Sequence, residues 1–214
     1  MRDIPVFTTE YGVASLVLRE IPYRREAYVH IRDVQPKMTD HLLEECASFC
    51  RMAGAERIFA KGDEDLSHYP VHCRILQMRC SSFIKEDNGA MLFPVTEETV
   101  GEWRAILNKK MESVDNAATL ESRDEARILS SGGGYFIHEH GELLGVGWLL
   151  NDAIETVASC KRGAGIRVMQ ALMGLAQGDV VSLQVASTNA KAIALYEKLG
   201  FVTVGELSCW YRIG

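Results

Sequence analysis

The chain has 214 residues, of which 47% are hydrophobic and 24% are charged, and its formal net charge is -6. Such a chain can bury a sizeable core in one large or two small domains. The negative charge excludes a generally basic surface for nucleic acid, although a local basic site stays compatible with it.

The chain shows no sign of export or of membrane insertion. No apolar run approaches the roughly 18 residues of a membrane-spanning helix, and residues 1–5 lack the pattern of a secretory signal. The six cysteines form no CxxC pair. We therefore expect a cytoplasmic protein with reduced thiols and no membrane or nucleic-acid partner, and the sequence is compatible with a homodimer.

The first half of the chain begins with two extended patterns. The apolar run 13–18 predicts a strand, and the alternation in 27–34 predicts a second one. Thr39 is predicted to cap a helix with an apolar stripe. Cys46 and Cys50 fall on this stripe, so we expect them to pack in the core. Further strands are predicted at 57–60 and 75–82.

The second half of the chain alternates strands and helices. Thr96 is predicted to cap a helix that continues to about Met111. A second helix, 120–129, ends at a run of three glycines. Strands are predicted at 91–95, 135–139, 143–150, 154–158 and 180–186, helices at 166–176 and 189–199, and two closing strands within 201–213.

This order of elements predicts an α/β (α+β) fold with a mixed central sheet flanked by helices. The charged, turn-forming segment 85–89 predicts a boundary between an N-terminal α/β domain, residues 1–88, and a second domain, residues 89–214. Both halves contain strand, strand, helix and strand in that order. Whether the first domain is a degenerate half-copy of the second stays open.

A glycine-containing loop, residues 160–167, joins a predicted strand to a predicted helix. Gly163 and Gly165 would let the backbone approach a ligand closely, and the helix that follows would present unpaired N–H groups to a phosphate. A dinucleotide fold is the poorer reading, because Val168 stands where its third glycine belongs. Positive charge is concentrated here in Lys161, Arg162 and Arg167.

The segment 189–201, NAKAIALYEKLGF, is the most specific motif of the chain. It resembles the N-x-x-A-I-x-L-Y-E-K-x-G-F segment of the GCN5-related N-acetyltransferase (GNAT) superfamily, and it follows the glycine loop in the order which that family requires. The resemblance covers about residues 90–214. It implies a GNAT-type sheet and an acyl-CoA-dependent N-acyltransferase that uses acetyl-CoA.

The resemblance also implies where acetyl-CoA binds. In this family an apolar strand splays from its neighbour, and the pantetheine arm lies in the gap as a surrogate strand. The splayed strand would be 154–158, the loop amides would hold the pyrophosphate, and the Asn189 side chain would fix the cofactor arm. The residues carried over are Val157, Ser159, Lys161, Arg162, Gly163, Ala164, Gly165, Ile166, Asn189 and Tyr196.

Two features depart from the family pattern. The family usually has Gln or Arg at the position of Cys160, and the loop is about two residues shorter than usual. Because backbone N–H groups provide most of the grip on a pyrophosphate, we expect a weaker site rather than none. A reactive thiol at Cys160, activated by Lys161 and Arg162, is the less favoured alternative.

Direct acyl transfer to an amine needs a base, an oxyanion donor and an acid for the leaving thiolate. Tyr196 matches the family's acid, although its ring could instead only pack and bind the cofactor. The backbone N–H near Val157 is the expected oxyanion donor. Glu155 is the best candidate base; a water path and a purely structural glutamate are the alternatives.

Other functional interpretations remain open. His138 and His140 share one face of the predicted hairpin, where a solvated surface is favoured over a metal pair, and no metal is expected. The favoured function is acetyl transfer to an amine of a small-molecule or amino acid-like acceptor. The alternatives are a non-catalytic acyl-CoA-binding or regulatory protein and an interaction module without cofactor.

Overall fold

The computed structural model describes residues 5–83 and 89–214. Two compact units make up the chain. The first comprises Met1–Arg74 and Leu207–Gly214, and the second comprises Ile75–Glu206. The chain passes from the first unit to the second within strand β5 (Val71–Cys80) and returns within strand β11 (Val202–Arg212).

The first unit is a sheet with one long helix. Neighbouring strands are antiparallel, except that β3 and β4 run parallel and are joined through α2. The strand order is β1-β2-β3-β4-β11. Its elements are β1 (Val6–Thr8), β2 (Gly12–Val17), α1 (Ile21–Arg24), β3 (Glu26–Val34), α2 (Thr39–Met52) and β4 (Arg57–Lys61).

The helix α2 forms because its apolar side chains recur at helical spacing and can be buried on one side. They pack on alternate side chains of β2, β3 and β4. Cys46 and Cys50 belong to this core, as predicted, and burial raises their pKa values to about 12 and about 11. Within residues 5–83 and 89–214 no cysteine forms a disulfide.

The second unit is a mixed sheet with helices on both faces. The strand order is β5-β10-β9-β8-β7-β6, and within it only β9 and β10 run parallel. Its elements are β6 (Met91–Pro94), α3 (Val100–Met111), a 3-10 turn (Ser122–Asp124), α4 (Glu125–Ser131), β7 (Gly134–Glu139), β8 (Glu142–Leu150), β9 (Ala153–Ser159), α5 (Gly165–Gly174), β10 (Val181–Ala186) and α6 (Ala190–Lys198).

Helix α5 lies very close to strand β8 because glycine occupies the contact. A Cβ atom at Gly147 would lie 2.4 Å from Leu172 Cδ1, so no larger residue fits there without movement. The opposite face packs on α3 and α4 through Trp103, Ile128 and Trp148. The mixed sheet flanked by helices that the sequence predicts is confirmed.

Several predicted details are wrong. Thr39 is the first residue of α2 and does not cap it, because the cap position is Met38. Helix α3 begins at Val100 rather than after Thr96, since residues 96–99 form a turn in which the Thr96 N–H donates to Thr99 Oγ1 (3.0 Å). Instead of two closing strands there is the single strand β11. The sequence also failed to predict β1 and α1.

The predicted domain boundary lies at the edge of residues 84–88, which are outside the described residues. It stays a prediction, as does the interpretation of the first domain as a degenerate half-copy. No helix within residues 5–83 and 89–214 is long and apolar enough to cross a membrane.

Candidate active site

Strand β9 contains one additional residue in its middle. Trp148 pairs with Thr156, while the next residue of β8, Leu149, pairs with Ile154. Glu155 therefore has no partner of its own, which is a β-bulge. A bulge bends its strand and ends regular pairing locally.

The parallel pairing of β9 with β10 ends just before this bulge. Only Ala153 and Ile154 pair with β10, although β9 stays paired with β8 as far as Ser159. Strand β10 in turn stays paired with β5 along its whole length, from Val181 to Ala186. A gap therefore opens between β9 and β10 beyond Ile154.

The backbone groups of Val157 and Ser159 point into this gap. The Cys160 N–H donates to the Leu144 carbonyl (2.7 Å), one residue beyond the antiparallel pair of Ser159 and Gly145. Hydrogen-bonded and non-hydrogen-bonded pairs alternate along an antiparallel ladder. Because Cys160 is hydrogen-bonded to Leu144, the pair of Ser159 and Gly145 is non-hydrogen-bonded, and so is the pair that contains Val157. Both residues thus present unpaired N–H and C=O groups to the gap, at the positions which the family resemblance indicates.

The loop that leaves β9 ends at the N-terminus of α5. Gly163 has φ +82°, a conformation that other residues rarely adopt, and nothing lies within 4 Å of a Cβ built there. The Val168 N–H donates to the Ala164 carbonyl (3.0 Å) as the first helical bond. The preceding N–H groups of α5 have no partner inside the helix and can hold an anion.

Gly165 has a packing role that the sequence did not indicate. A Cβ atom there would lie 2.8 Å from Leu195 Cδ1, so glycine lets α5 begin directly against α6. The two motifs, the glycine loop and residues 189–201, are therefore adjacent in space. A contact between the Gly165 backbone and pyrophosphate stays a prediction.

Helix α6 begins with Asn189 as its cap. The Asn189 side-chain oxygen accepts the Ala192 N–H (3.2 Å). Tyr196 lies on the side of α6 that packs against the core of the second unit, with its ring centroid 5.9 Å from that of Phe201. Burial raises the pKa of Tyr196 to about 12, so the phenol is protonated at neutral pH.

Comparison with protein families identifies this arrangement. Residues 100–201 match the model of the Acetyltransferase (GNAT) family, a range that holds the gap, the glycine loop and α6. The chain contains a GNAT acetyltransferase domain. A curated relative, the N-alpha-acetyltransferase RimI of Mycobacterium tuberculosis, is 42% identical over 52 residues, which are 24% of this chain and 33% of RimI. The match thus spans about a third of that relative's length.

Several solved structures resemble nearly the whole chain. A GCN5-related N-acetyltransferase from Sphaerobacter thermophilus has a TM-score of 0.61 at 15% identity and covers 94% of this chain and 75% of its own. One from Kribbella flavida has a TM-score of 0.57 at 13% identity and covers 99% and 89%. A functionally unknown conserved protein from Staphylococcus epidermidis has a TM-score of 0.59 at 11% identity and covers 99% and 94%. At these identities the likeness shows the fold alone.

Acidic side chains neutralise part of the positive charge predicted for the GNAT glycine loop. Lys161 forms an ion pair with Glu142, and Arg167 forms one with Glu139. Arg162 is exposed, and within the described ranges no ion pair engages it. The loop therefore offers an anion its backbone N–H groups and one free cation, less charge than the sequence suggests.

The candidate base of the GNAT domain is engaged by an arginine. Glu155 Oε2 lies 3.6 Å from Arg127 Nη2, and the Arg127 guanidinium lies 4.9 Å from the centre of the Trp148 ring. Glu155 itself is partly exposed at the bulge. Sequence reasoning missed Arg127, and no local signal could reveal it because α4 and β9 are distant along the chain.

The surroundings of Cys160 favour the neutral thiol over a reactive thiolate. Burial raises its pKa, and the opposing effect of the Lys110 charge is smaller, whereas reactive cysteines have a lowered pKa. The two histidines of the hairpin, proposed as an alternative metal pair, have different surroundings. His138 packs edge-on against Phe93, His140 lies at the turn with φ +49°, and the described residues hold no cluster of His, Cys, Asp or Glu suited to a metal ion.

Proposed function

We propose that the protein is an N-acetyltransferase that transfers the acetyl group of acetyl-CoA directly to the amine of a small-molecule or amino acid-like acceptor. The observation that carries this proposal is the gap after the Glu155 bulge, because it exposes unpaired backbone groups beside the N-terminus of α5 and beside α6. A GNAT domain with a regular, fully paired β9 would lack such a site.

The exposed groups suit the chemistry of acetyl-CoA. The pantetheine arm contains amide groups, which can pair with the backbone of Val157 and Ser159 as a strand would. The pyrophosphate carries negative charge, which suits the first N–H groups of α5 and the positive end of that helix, whereas the Ala164 N–H already donates to the Lys161 carbonyl (3.3 Å). Lys161 is held by Glu142, so we assign it a minor part in binding.

The acid of the reaction is assigned to Tyr196. Acetyl-CoA supplies an activated thioester, and the thiolate that leaves must acquire a proton. With a pKa of about 12 the phenol keeps its proton at neutral pH and can donate it where a thiolate forms. The Val157 N–H, which faces the gap, can donate to the oxyanion.

The base is assigned to Glu155, acting directly or through a chain of water molecules that begins at its carboxylate. Its place at the bulge brings it next to the gap. The Glu155 carboxylate is paired with the Arg127 guanidinium (3.6 Å).

The proposed acceptor is a neutral or cationic amine. The net charge of -6 favours such an acceptor over an anionic one. The matched relative RimI is named an N-alpha-acetyltransferase, so α-amino groups of amino acids and short peptides belong in the first panel tested. We further propose a cytoplasmic location and leave a homodimer as a matter for a solution measurement.

A non-catalytic acyl-CoA-binding protein is the second candidate. It is favoured by Cys160, which stands where the family usually has Gln or Arg, and by the ion pair of Glu155 with Arg127. This candidate predicts that calorimetry detects CoA binding, while no acceptor in the panel yields free CoA from acetyl-CoA.

The test compares Tyr196→Phe with Tyr135→Phe, a matched variant in β7. We expect release of CoA with at least one amine, a fall in kcat of about 10²–10⁴-fold in Tyr196→Phe and little change in Tyr135→Phe. CoA affinity should change little, since the phenol hydroxyl acts in the transition state. Undiminished turnover in Tyr196→Phe would remove the residue from the acid role.

A further inference from the structure

A row of polar side chains crosses one face of the first unit. Ser15 of β2 pairs with His30 of β3, and His30 pairs with Lys61 of β4. Trp210 of β11 continues the row, since its neighbour Tyr211 pairs with Ala60. The intervening residues of these strands pack on α2, and side chains alternate along a strand. The row therefore lies on the face opposite α2.

The members of this row contact one another, and one further cation joins them. Arg32, two residues after His30 on the same face, donates from Nε to Ser15 Oγ (2.9 Å). Lys61 Nζ lies 5.0 Å from the centre of the Trp210 ring, and the rings of His30 and Trp210 are 4.9 Å apart. We call Ser15, His30, Arg32, Lys61 and Trp210 the basic row.

The cations of the basic row have no acidic partner. Within residues 5–83 and 89–214, no carboxylate forms an ion pair with Arg32 or Lys61. The nearby buried carboxylate, Glu26, instead accepts the Tyr28 hydroxyl (2.7 Å) and pairs with Arg57 (2.8 Å). Arg32 and Lys61 thus carry two positive charges without a counter-charge among the described residues, in a chain of net charge -6.

The members of the basic row disfavour one another's positive charge. Burial, then the charges of Lys61 and Arg32, lowers the pKa of His30 to about 4. Burial and then Arg32 also lower the pKa of Lys61. An anion bound among these groups would relieve the repulsion between Arg32 and Lys61 and stabilise the charged forms. His30, neutral at pH 7, can still donate one N–H.

We propose that the basic row binds a small ligand through a dianionic phosphate group, with Arg32 and Lys61 as counter-charges and His30 as a hydrogen-bond donor. Two cations match a dianion better than a monoanion such as acetate, and both can form charge-assisted hydrogen bonds to phosphate oxygens. This site lies within the first unit and does not depend on acetyl transfer by the second.

The test is calorimetric titration of the full chain with inorganic phosphate, at constant ionic strength and with saturating CoA to occupy phosphate sites at α5. We expect phosphate to bind to the wild type. Lys61→Met should lower the affinity for phosphate about tenfold, as the loss of one charge-assisted hydrogen bond predicts. Lys37→Met removes the same charge from an exposed position of the same unit and should leave the affinity unchanged. Acetate should bind far more weakly than phosphate.

Three further measurements locate the site. Arg32→Gln changes an exposed side chain and should lower the affinity for phosphate as Lys61→Met does. It replaces Lys61→Met in the test if that variant fails to fold. NMR titration should show the pKa of His30 rising when phosphate is present. A phosphate monoester that binds more tightly than phosphate would identify a phosphorylated ligand; equal affinity would identify free phosphate. Absence of phosphate binding to the wild type, or equal loss in Lys61→Met and Lys37→Met, would overturn the proposal.

Discussion

Two segments of this protein have the same connectivity and different pairing. In the first unit, β3 leads through α2 to the parallel strand β4, and the two strands pair at five positions from Glu26 to His30. In the second unit, β9 leads through α5 to the parallel strand β10, and these strands pair only at Ala153 and Ile154. In each case the first strand is also paired antiparallel with its predecessor.

The difference shows that the gap is a local feature and not a property of the crossover. The strand β9 has a bulge at Glu155 after only two residues paired with β10, and its loop contains Gly163 with positive φ. The strand β3 also has a bulge, at Arg32, but it comes after five residues paired with β4, which is paired along its whole length. The same strand, helix and strand unit thus forms a closed sheet in one place and an open site in the other. We call β3, α2 and β4 the closed segment and β9, α5 and β10 the open segment. We expect substitutions in the closed segment to change stability and substitutions in the open segment to change CoA binding.

The largest expected effect is on stability, in the closed segment. Leu43 of α2 is almost completely buried in the core that α2 forms with β2, β3 and β4. Leu43→Ala should lower the free energy of unfolding by about 2–5 kcal/mol, because it removes buried methyl groups and leaves a cavity. Chemical denaturation measures this change. CoA affinity, measured by calorimetry at a temperature where the variant stays folded, should be that of the wild type. A parallel loss of CoA affinity would show that the two segments are coupled.

A smaller effect is expected in the loop of the open segment. Gly163→Ala places a side chain at φ +82°, which costs about 1–2 kcal/mol. If the strain falls on the loop geometry that binds CoA, the affinity for CoA should fall about tenfold.

The matched control is Gly174→Ala, at a position in α5 where a Cβ has open space. It should stabilise the protein by about 0.5–1 kcal/mol, because alanine favours the helix, and leave CoA affinity unchanged. A Gly163→Ala variant that binds CoA like the wild type would contradict the role assigned to the loop.

A further effect is a pH dependence of stability. Burial raises the pKa of Tyr196 to about 12, while an unfolded tyrosine titrates near 10. Above pH 10 the unfolded chain therefore binds fewer protons at this residue than the folded chain, and stability falls as pH rises from 10 to 12. Denaturation across this range should show a shallower fall in Tyr196→Phe than in the wild type. Identical slopes would mean that the phenol is accessible to water.

The sequence predicted those parts of the site that lie on contiguous segments. The segment 189–201 indicated the family and α6, and the loop with Gly163 indicated the N-terminus of α5. It did not predict the bulge, because Glu155 is recognised as additional only from the pairing of Trp148 and Leu149.

The ion pairs of the site were equally inaccessible to sequence reasoning. Lys161 and Arg167 were counted as free cations, but their partners Glu142 and Glu139 lie 19 and 28 residues away along the chain. Local patterns specify helices and strands, and they carry no information about which charges the folded sheet brings together.

The most direct test of the gap is amide hydrogen exchange with and without CoA. The N–H groups of Val157 and Ser159 have no strand partner across the gap, so they should exchange rapidly in the free protein and slow markedly with saturating CoA. The N–H groups that join β3 and β4 should be protected in both states. Protection of Val157 and Ser159 without CoA, or exchange that saturating CoA leaves unchanged, would contradict the account.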